Sequence, residues 1–82
     1  MAVDQFEVTM LNISVASAHH FRRYCVERTR RGGWEAWLEE DATIRWREIY
    51  QDWHRVERAV AKMRREVEAL VDHGWTLQRV TQ

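Results

Sequence analysis

An unbroken apolar stripe in the second half of the chain restricts its fold more than any other sequence feature. Eight apolar residues follow one another at intervals of three and four: Trp46, Ile49, Trp53, Val56, Val60, Met63, Val67 and Leu70. This is the spacing of the a and d positions of heptad repeats, and it predicts a long α-helix. Such a helix is unstable alone in water, so we expect the stripe to be buried against another element.

The distribution of chain-breaking residues also favours helices. The 82 residues include no Pro and only three Gly, so a fold with many tight turns is disfavoured. Gly74 fits the position just after the end of a helix. Trp75 follows it, and we expect the Trp75 side chain to contact Leu70 in the last turn. We predict a single helical domain over residues 1–82, with a first helix at about 5–31, a turn at Gly32–Gly33 and an extended tail at 75–82. Residues 34–73 are predicted to be helical, either as one kinked helix or as two helices with a break near 41–43.

The beginning of the chain supports two interpretations. Asp4 and Glu7 have the spacing of a capping box, which predicts a helix start. Several β-branched residues in 6–15 favour a strand instead: Val8, Thr9, Ile13 and Val15. Helix is the preferred interpretation, and strand is the alternative.

The stripe needs a cover, and the first helix is the nearest candidate. We therefore predict an all-α fold, an antiparallel helical hairpin whose surplus apolar faces drive dimerisation into a helical bundle. A parallel coiled coil is disfavoured, because Asp52 and Glu57 would meet as like charges. The alternative fold is β-α-α-β, in which strands at 6–13 and 75–80 pair.

Few residues have the pattern of a catalytic or metal site. His19, His20 and Cys25 match no usual zinc spacing and lack a fourth ligand nearby. Cys25 would act as a nucleophile only beside a base and an oxyanion site, and the sequence indicates neither. We predict no enzymatic activity, no cofactor and no metal.

Two charged runs flank the glycine turn. The basic run precedes it (Arg22, Arg23, Arg28, Arg30 and Arg31), and an acidic run with two tryptophans follows it (Trp34, Glu35, Trp37, Glu39, Glu40 and Asp41). The runs either neutralise each other across the turn or form a surface for a partner protein. We predict that these residues bind the partner, because Trp and Arg are enriched among the residues that dominate interfaces.

The overall charge favours a protein partner over a nucleic acid. Thirteen basic and thirteen acidic residues cancel, whereas a general nucleic-acid binder needs a surplus of cations. We expect a small non-catalytic interaction module that blocks or bridges a partner protein, for example a phage or mobile-element inhibitor such as an anti-CRISPR. A nucleic-acid-binding regulator that uses the Arg-rich run is the alternative. The absence of a signal-peptide pattern and of a membrane span predicts a cytoplasmic protein.

Overall fold

The chain forms an antiparallel β-sheet with a helix packed on one of its faces. The structure is a computed structural model that describes residues 9–81. Within that range the elements are β1 (Thr9–Ala16), β2 (Phe21–Arg28), β3 (Trp34–Glu40), β4 (Thr43–Tyr50), α1 (Trp53–Asp72) and β5 (Thr76–Thr81). The strand order across the sheet is β4-β3-β2-β1-β5. Because β4 and β5 are opposite edges, α1 crosses the whole sheet to connect them.

The predicted all-α hairpin is therefore wrong. Residues 9–28 form a strand hairpin, and residues 34–50 form a second one. Arg, Glu and Ala favour helices locally, but these strands gain more from burying alternate side chains such as Tyr24 and Val26 in a common core. The turn at Gly32–Gly33 is confirmed, although it connects strands rather than helices.

The apolar stripe is divided between β4 and α1. Its helical part begins at Trp53, behind Asp52, whose carboxylate accepts a hydrogen bond from the His54 backbone N–H at 2.9 Å. Trp46 and Ile49 lie in β4 and point to opposite faces of the sheet, so their heptad spacing is coincidental.

The helical part of the stripe packs on the sheet. Val56, Met63 and Val67 are buried in the core, and Val60 and Leu70 lie partly buried against it. The predicted helical bundle and coiled coil are wrong, because the stripe is covered by strands. The surplus helical faces that motivated a dimer do not exist in the described residues, and the dimer itself stays a prediction.

The predictions for the end of the chain are confirmed. The Gly74 N–H donates to the Val71 carbonyl and the Trp75 N–H to the Leu70 carbonyl, each at 3.0 Å, which is the Schellman pattern. The extended tail is β5. Pairing of the terminal strands, expected in the alternative fold, occurs between β1 and β5. The capping box at Asp4 and Glu7 lies outside the described residues.

Strand alternation assigns each side chain of the sheet to one of two faces. The face toward α1 contributes the core, which consists of Leu11, Ile13, Val15, Tyr24, Val26 and Ala36 together with Val56, Met63 and Val67 of the helix. The residues between these positions point away from α1, and we call their surface the helix-free face.

Both edge strands carry a bulge. Arg45 of β4 has no partner in the register with β3, and Gln78 of β5 has none in the register with β1. An extra residue bends an edge strand and interrupts its row of hydrogen-bonding groups. The bulges therefore oppose the addition of further strands at either edge.

The β3–β4 turn adopts a conformation that is unfavourable for one of its residues. Asp41 and Ala42 have φ angles of 53° and 70°, in the left-handed region. Two-residue hairpins require this geometry, and Gly usually occupies the second position. Asp41 compensates because its carboxylate accepts hydrogen bonds from the Phe21 N–H and from the His20 ring, each at 2.9 Å.

Replacing Ala42 with glycine should stabilise the protein. Ala42→Gly removes the steric cost of the left-handed conformation, about 1–2 kcal/mol, and adds a smaller entropic cost in the unfolded chain. We expect the free energy of unfolding to rise by about 0.5–1 kcal/mol in urea denaturation. Ala61→Gly, on the exposed side of α1, is the control and should lower it. A destabilised Ala42→Gly variant would contradict the turn geometry.

The two glycines of the β2–β3 turn provide a matched pair of substitutions. Both have positive φ, at 83° for Gly32 and 87° for Gly33. A Cβ at Gly32 meets nothing within 4 Å, whereas one at Gly33 lies 2.7 Å from the Tyr50 carbonyl oxygen. We expect Gly32→Ala to cost about 1 kcal/mol of stability, and Gly33→Ala to cost about 1–3 kcal/mol more. Equal losses of stability in the two variants would show that Gly33 does not approach the Tyr50 carbonyl oxygen as described.

Candidate functional site

The helix-free face is the side of the sheet on which α1 does not pack. It is formed by Asn12, Ser14, Phe21, Arg23, Cys25, Glu27, Glu35, Trp37, Glu39, Ile44, Arg47, Ile49 and Arg79. Antiparallel sheets commonly have one solvated face, and such a face is usually polar. This one mixes charged, aromatic and aliphatic side chains, so its composition is not that of a simple solvated surface.

Two ion pairs order the charged side chains of the face. The Arg23 guanidinium donates from Nε and Nη2 to Glu39 Oε1, at 2.9 and 2.6 Å. Arg47 Nε pairs with Glu35 Oε2 across β4 and β3. Ion pairs this exposed contribute little to stability. Their main consequence is that the pairing orients four long side chains on the surface of the sheet.

Apolar side chains lie among these pairs. Ile44 and Ile49 are 50% and 56% exposed, and Phe21 is 43% exposed. Trp37 is half-buried and lies in register between Cys25 of β2 and Arg47 of β4. Together with both ion pairs, Trp37 and Ile44 line a shallow depression of about 460 Å³.

Cys25 belongs to the same face but is not available for chemistry. It is only 3% exposed, and its Sγ lies 3.9 Å from Asn12 Oδ1. Burial raises the pKa of the Cys25 thiol to about 11, and the opposing effect of Arg23 is smaller. The thiol is therefore protonated at neutral pH, and a thiol is a poor nucleophile compared with a thiolate.

Strand alternation divides the predicted partner-binding residues between the two faces. The helix-free face receives Arg23, Glu35, Trp37 and Glu39, whereas the side toward α1 receives Arg22, Arg28, Trp34 and Glu40. Arg30 and Arg31 lie in the β2–β3 turn and Asp41 in the β3–β4 turn. The predicted set is thus not one contiguous surface.

The two charged runs do pair across the glycine turn. Arg22 and Arg23 of β2 lie opposite Glu40 and Glu39 of β3 in the strand register. The Arg22 Nε–Glu40 Oε1 distance is 3.6 Å, and the Arg23–Glu39 pair is closer. The interpretation that the runs neutralise each other is confirmed for these two pairs.

The predicted set omitted several residues of the helix-free face. The predicted partner-binding residues do not include Phe21, Ile44 or Arg47. Ile49 appears in the prediction only as part of the apolar stripe. One feature of the sequence does indicate a strand here. Glu35, Trp37 and Glu39 recur with a period of two, which places every second residue of 34–40 on one face of a sheet. That signal is short and competes with strong helix formers.

A second polar cluster connects the β1–β2 and β3–β4 turns. Ligand atoms of His20, Glu40 and Asp41 lie within 4.8 Å of one another. The hydrogen bond from His20 lowers the pKa of the Asp41 carboxyl, and the bond from the Phe21 N–H lowers it further. Arg22 and Arg45 both lie 3.6 Å from Glu40, so this cluster already contains the cations that balance its carboxylates.

A cleft remains between α1 and β4 because the helix crosses the sheet diagonally. Its volume is about 340 Å³, and its walls include Leu38, Trp46 and Met63. Trp46 is 37% exposed although it lies on the core side of the sheet. Glu48, Glu66 and Lys62 line the same cleft, and the two tyrosines beside them donate to the glutamates.

No protein-family model, curated protein or solved structure matches the chain. Functional inference therefore rests on the geometry of the described residues. Among residues 9–81, no helix combines the length and apolar character needed to cross a bilayer.

The Cys25 thiol should resist modification in the folded protein. A pKa of about 11 leaves about one thiol in a thousand ionised at pH 8, and the side chain is also covered. We expect a disulfide reagent to react at pH 8 at least about 100-fold more slowly with the native protein than with the protein in guanidinium. Comparable rates in the two states would place the thiol at the surface and contradict this geometry.

Proposed function

We propose that this chain is a non-catalytic interaction module that binds a partner protein through its helix-free face. The observation that carries the proposal is the arrangement of exposed Ile44 and Ile49 beside the Arg23–Glu39 and Arg47–Glu35 pairs. Interfaces combine an apolar centre with a polar surround, and the pairs supply polar groups in fixed positions.

The charge balance of the face supports a protein partner. Three cations (Arg23, Arg47 and Arg79) and three anions (Glu27, Glu35 and Glu39) lie on it. Binding to phosphates depends on a local excess of Lys and Arg. The predicted basic run does not supply that excess, because strand alternation sends Arg22 and Arg28 to the other face.

The chemistry of the face supports binding rather than catalysis. Each of Glu35 and Glu39 is paired with an arginine, and the Cys25 thiol has a raised pKa. A general base or nucleophile requires a group poised to change its protonation or bonding near neutral pH. The Cys25 thiol is protonated near neutral pH, and the two glutamates already accept hydrogen bonds from arginines.

Preorganisation supports the same conclusion. Ordering rotamer-rich side chains at an interface costs free energy when a complex forms. Arg23, Glu35, Glu39 and Arg47 are already held by their ion pairs, so a partner meets a surface whose side chains are largely fixed. Trp37, half-buried between them, is the residue that we expect to contribute most to affinity.

The proposed mode of action is occupancy of a partner surface. An inhibitor from a phage or mobile element, such as an anti-CRISPR, would need only a surface of this kind to block or bridge its target. The proposal places the module in the cytoplasm, where a lone thiol such as Cys25 is stable. Nucleic-acid binding is the competing function, and its dependence on salt would identify it.

Charge substitutions at the two isoleucines test the proposal. The double variant Ile44→Glu/Ile49→Glu places two carboxylates on the helix-free face without disturbing the core, since both side chains are at least half exposed. We expect it to lose, by a factor of about 100 or more in affinity, the partner that the wild-type chain captures from its native host. Thermal denaturation should show that the variant still folds.

Val71→Glu is the matched control, because Val71 is 41% exposed but lies on α1, away from the face. It should retain the partner. Loss of the partner in both variants, or in neither, would exclude the helix-free face as the binding surface. If the double variant changes only the sedimentation coefficient of the isolated chain, the partner is a second copy of the chain.

A further inference from the structure

A polar pocket lies on the helix-free face beside the edge strand β5. Its volume is about 470 Å³, and it is lined by Asn12, Ser14, Phe21, Arg23, Glu39, Ala42, Gln78 and Arg79. We call it the Arg79 pocket. It differs from the depression around Trp37 because most of its lining consists of hydrogen-bonding side chains. The charges and hydrogen-bonding groups of this lining determine which ligand it can hold.

Ser14 is the central polar group of the pocket. It lies in β1, in register with Arg23 on one side and Arg79 on the other. It is only 5% exposed and is the one buried polar residue in the part of the chain that the structure describes. No hydrogen bond joins its hydroxyl to another residue in 9–81. The hydroxyl oxygen is not among the fully buried atoms that lack a partner, so it is accessible from the pocket and can bond to a group that enters it.

The cations of the pocket exceed its anions by one. Arg23 is paired with Glu39, and Arg79 has no ion pair with any residue in 9–81. Arg23 uses two of its five N–H groups on Glu39, which leaves three for another acceptor. One positive charge is therefore left without a counter-charge, and it lies next to further donors on Asn12 and Gln78.

The remaining wall of the pocket is apolar. Phe21 is 43% exposed, and Ala42 lies at the β3–β4 turn beside it. A ligand that fits both walls carries a single negative charge at one end and a short aliphatic stem at the other. Arginine guanidinium groups form their strongest hydrogen bonds with carboxylates, often through two parallel contacts.

We infer that the Arg79 pocket binds the carboxylate of an acidic side chain presented by the partner protein. The carboxylate accepts hydrogen bonds from Arg79 and the Ser14 hydroxyl, and its methylene stem lies against Phe21. A doubly charged phosphate fits less well, because the single surplus cation matches one negative charge and Glu39 repels a second. The inference rests on the proposed function, since it specifies what the partner offers to one part of the helix-free face.

A small probe tests the pocket without a partner. N-acetyl-glutamate N-methylamide is titrated into the ¹⁵N-labelled chain, and amide shifts are followed by NMR. We expect saturable shifts at Ser14, Arg23 and Arg79, with a dissociation constant on the order of millimolar, as is usual for so few contacts. The neutral analogue N-acetyl-glutamine N-methylamide should give no saturable shifts at these residues.

Variants then assign the binding to the pocket. Arg79→Gln should weaken the affinity at least tenfold, and Ser14→Ala should weaken it by a smaller factor. Arg65→Gln removes the same charge from the exposed side of α1 and should have no effect. Arg79 is exposed, so its substitution leaves the core intact.

Four results would overturn the inference. The first three are no saturation by about 100 mM probe, equal binding of the glutamine analogue, and an unchanged affinity in Arg79→Gln. The fourth is tighter binding of inorganic phosphate than of the glutamate probe, which would indicate a phosphate site. If the glutamate probe binds saturably but the partner still binds the Ile44→Glu/Ile49→Glu variant, the proposed function is rejected and the pocket is retained. The two claims therefore fail separately.

Discussion

The packing of α1 on one face of the sheet is the contact on which the rest of the structure depends. Val56, Met63 and Val67 enter the core formed by residues such as Val26 and Ala36, and no other helix in 9–81 covers the sheet. Burial of these side chains supplies the main driving force that offsets the entropy lost in ordering five strands. One helix of this width covers only part of a five-stranded face, which leaves the cleft beside Trp46. The opposite face carries no helix from residues 9–81.

The composition of the helix-free face follows from this constraint. An exposed sheet face made only of apolar residues would aggregate, and one made only of like charges would repel itself. Arg23–Glu39 and Arg47–Glu35 place opposite charges on neighbouring strands, which permits Ile44 and Ile49 to remain exposed between charged groups. The bulged edge strands direct association away from the sheet edges. The face is therefore the surface that we propose for binding a partner.

The sequence permitted prediction of the end of the chain better than its beginning. Helical structure up to residue 72, its stop at Gly74 and the extended tail follow from periodicity and from glycine chemistry, which are local signals. The start at Trp53 does not, because the apolar stripe continues back through Trp46 and Ile49 in β4. The strands between residues 21 and 50 are rich in Arg and Glu, and they are strands only because pairing buries Tyr24 and its neighbours. The two charged runs of the sequence contain only four residues of the helix-free face: Arg23, Glu35, Trp37 and Glu39. How the runs divide between the two faces of the sheet depends on the strand register, which the sequence alone does not reveal.

Methyl NOE measurements on the isolated chain test most directly the claim that α1 covers one face and leaves the other free. We expect strong NOEs from the methyl groups of Val56, Met63 and Val67 to Leu11, Ile13 and Val26, which share the core. We expect none from those helix methyl groups to Ile44 or Ile49, which lie on the opposite face of the sheet. NOEs between α1 and the two isoleucines would invert the faces and remove the basis for the proposed binding surface.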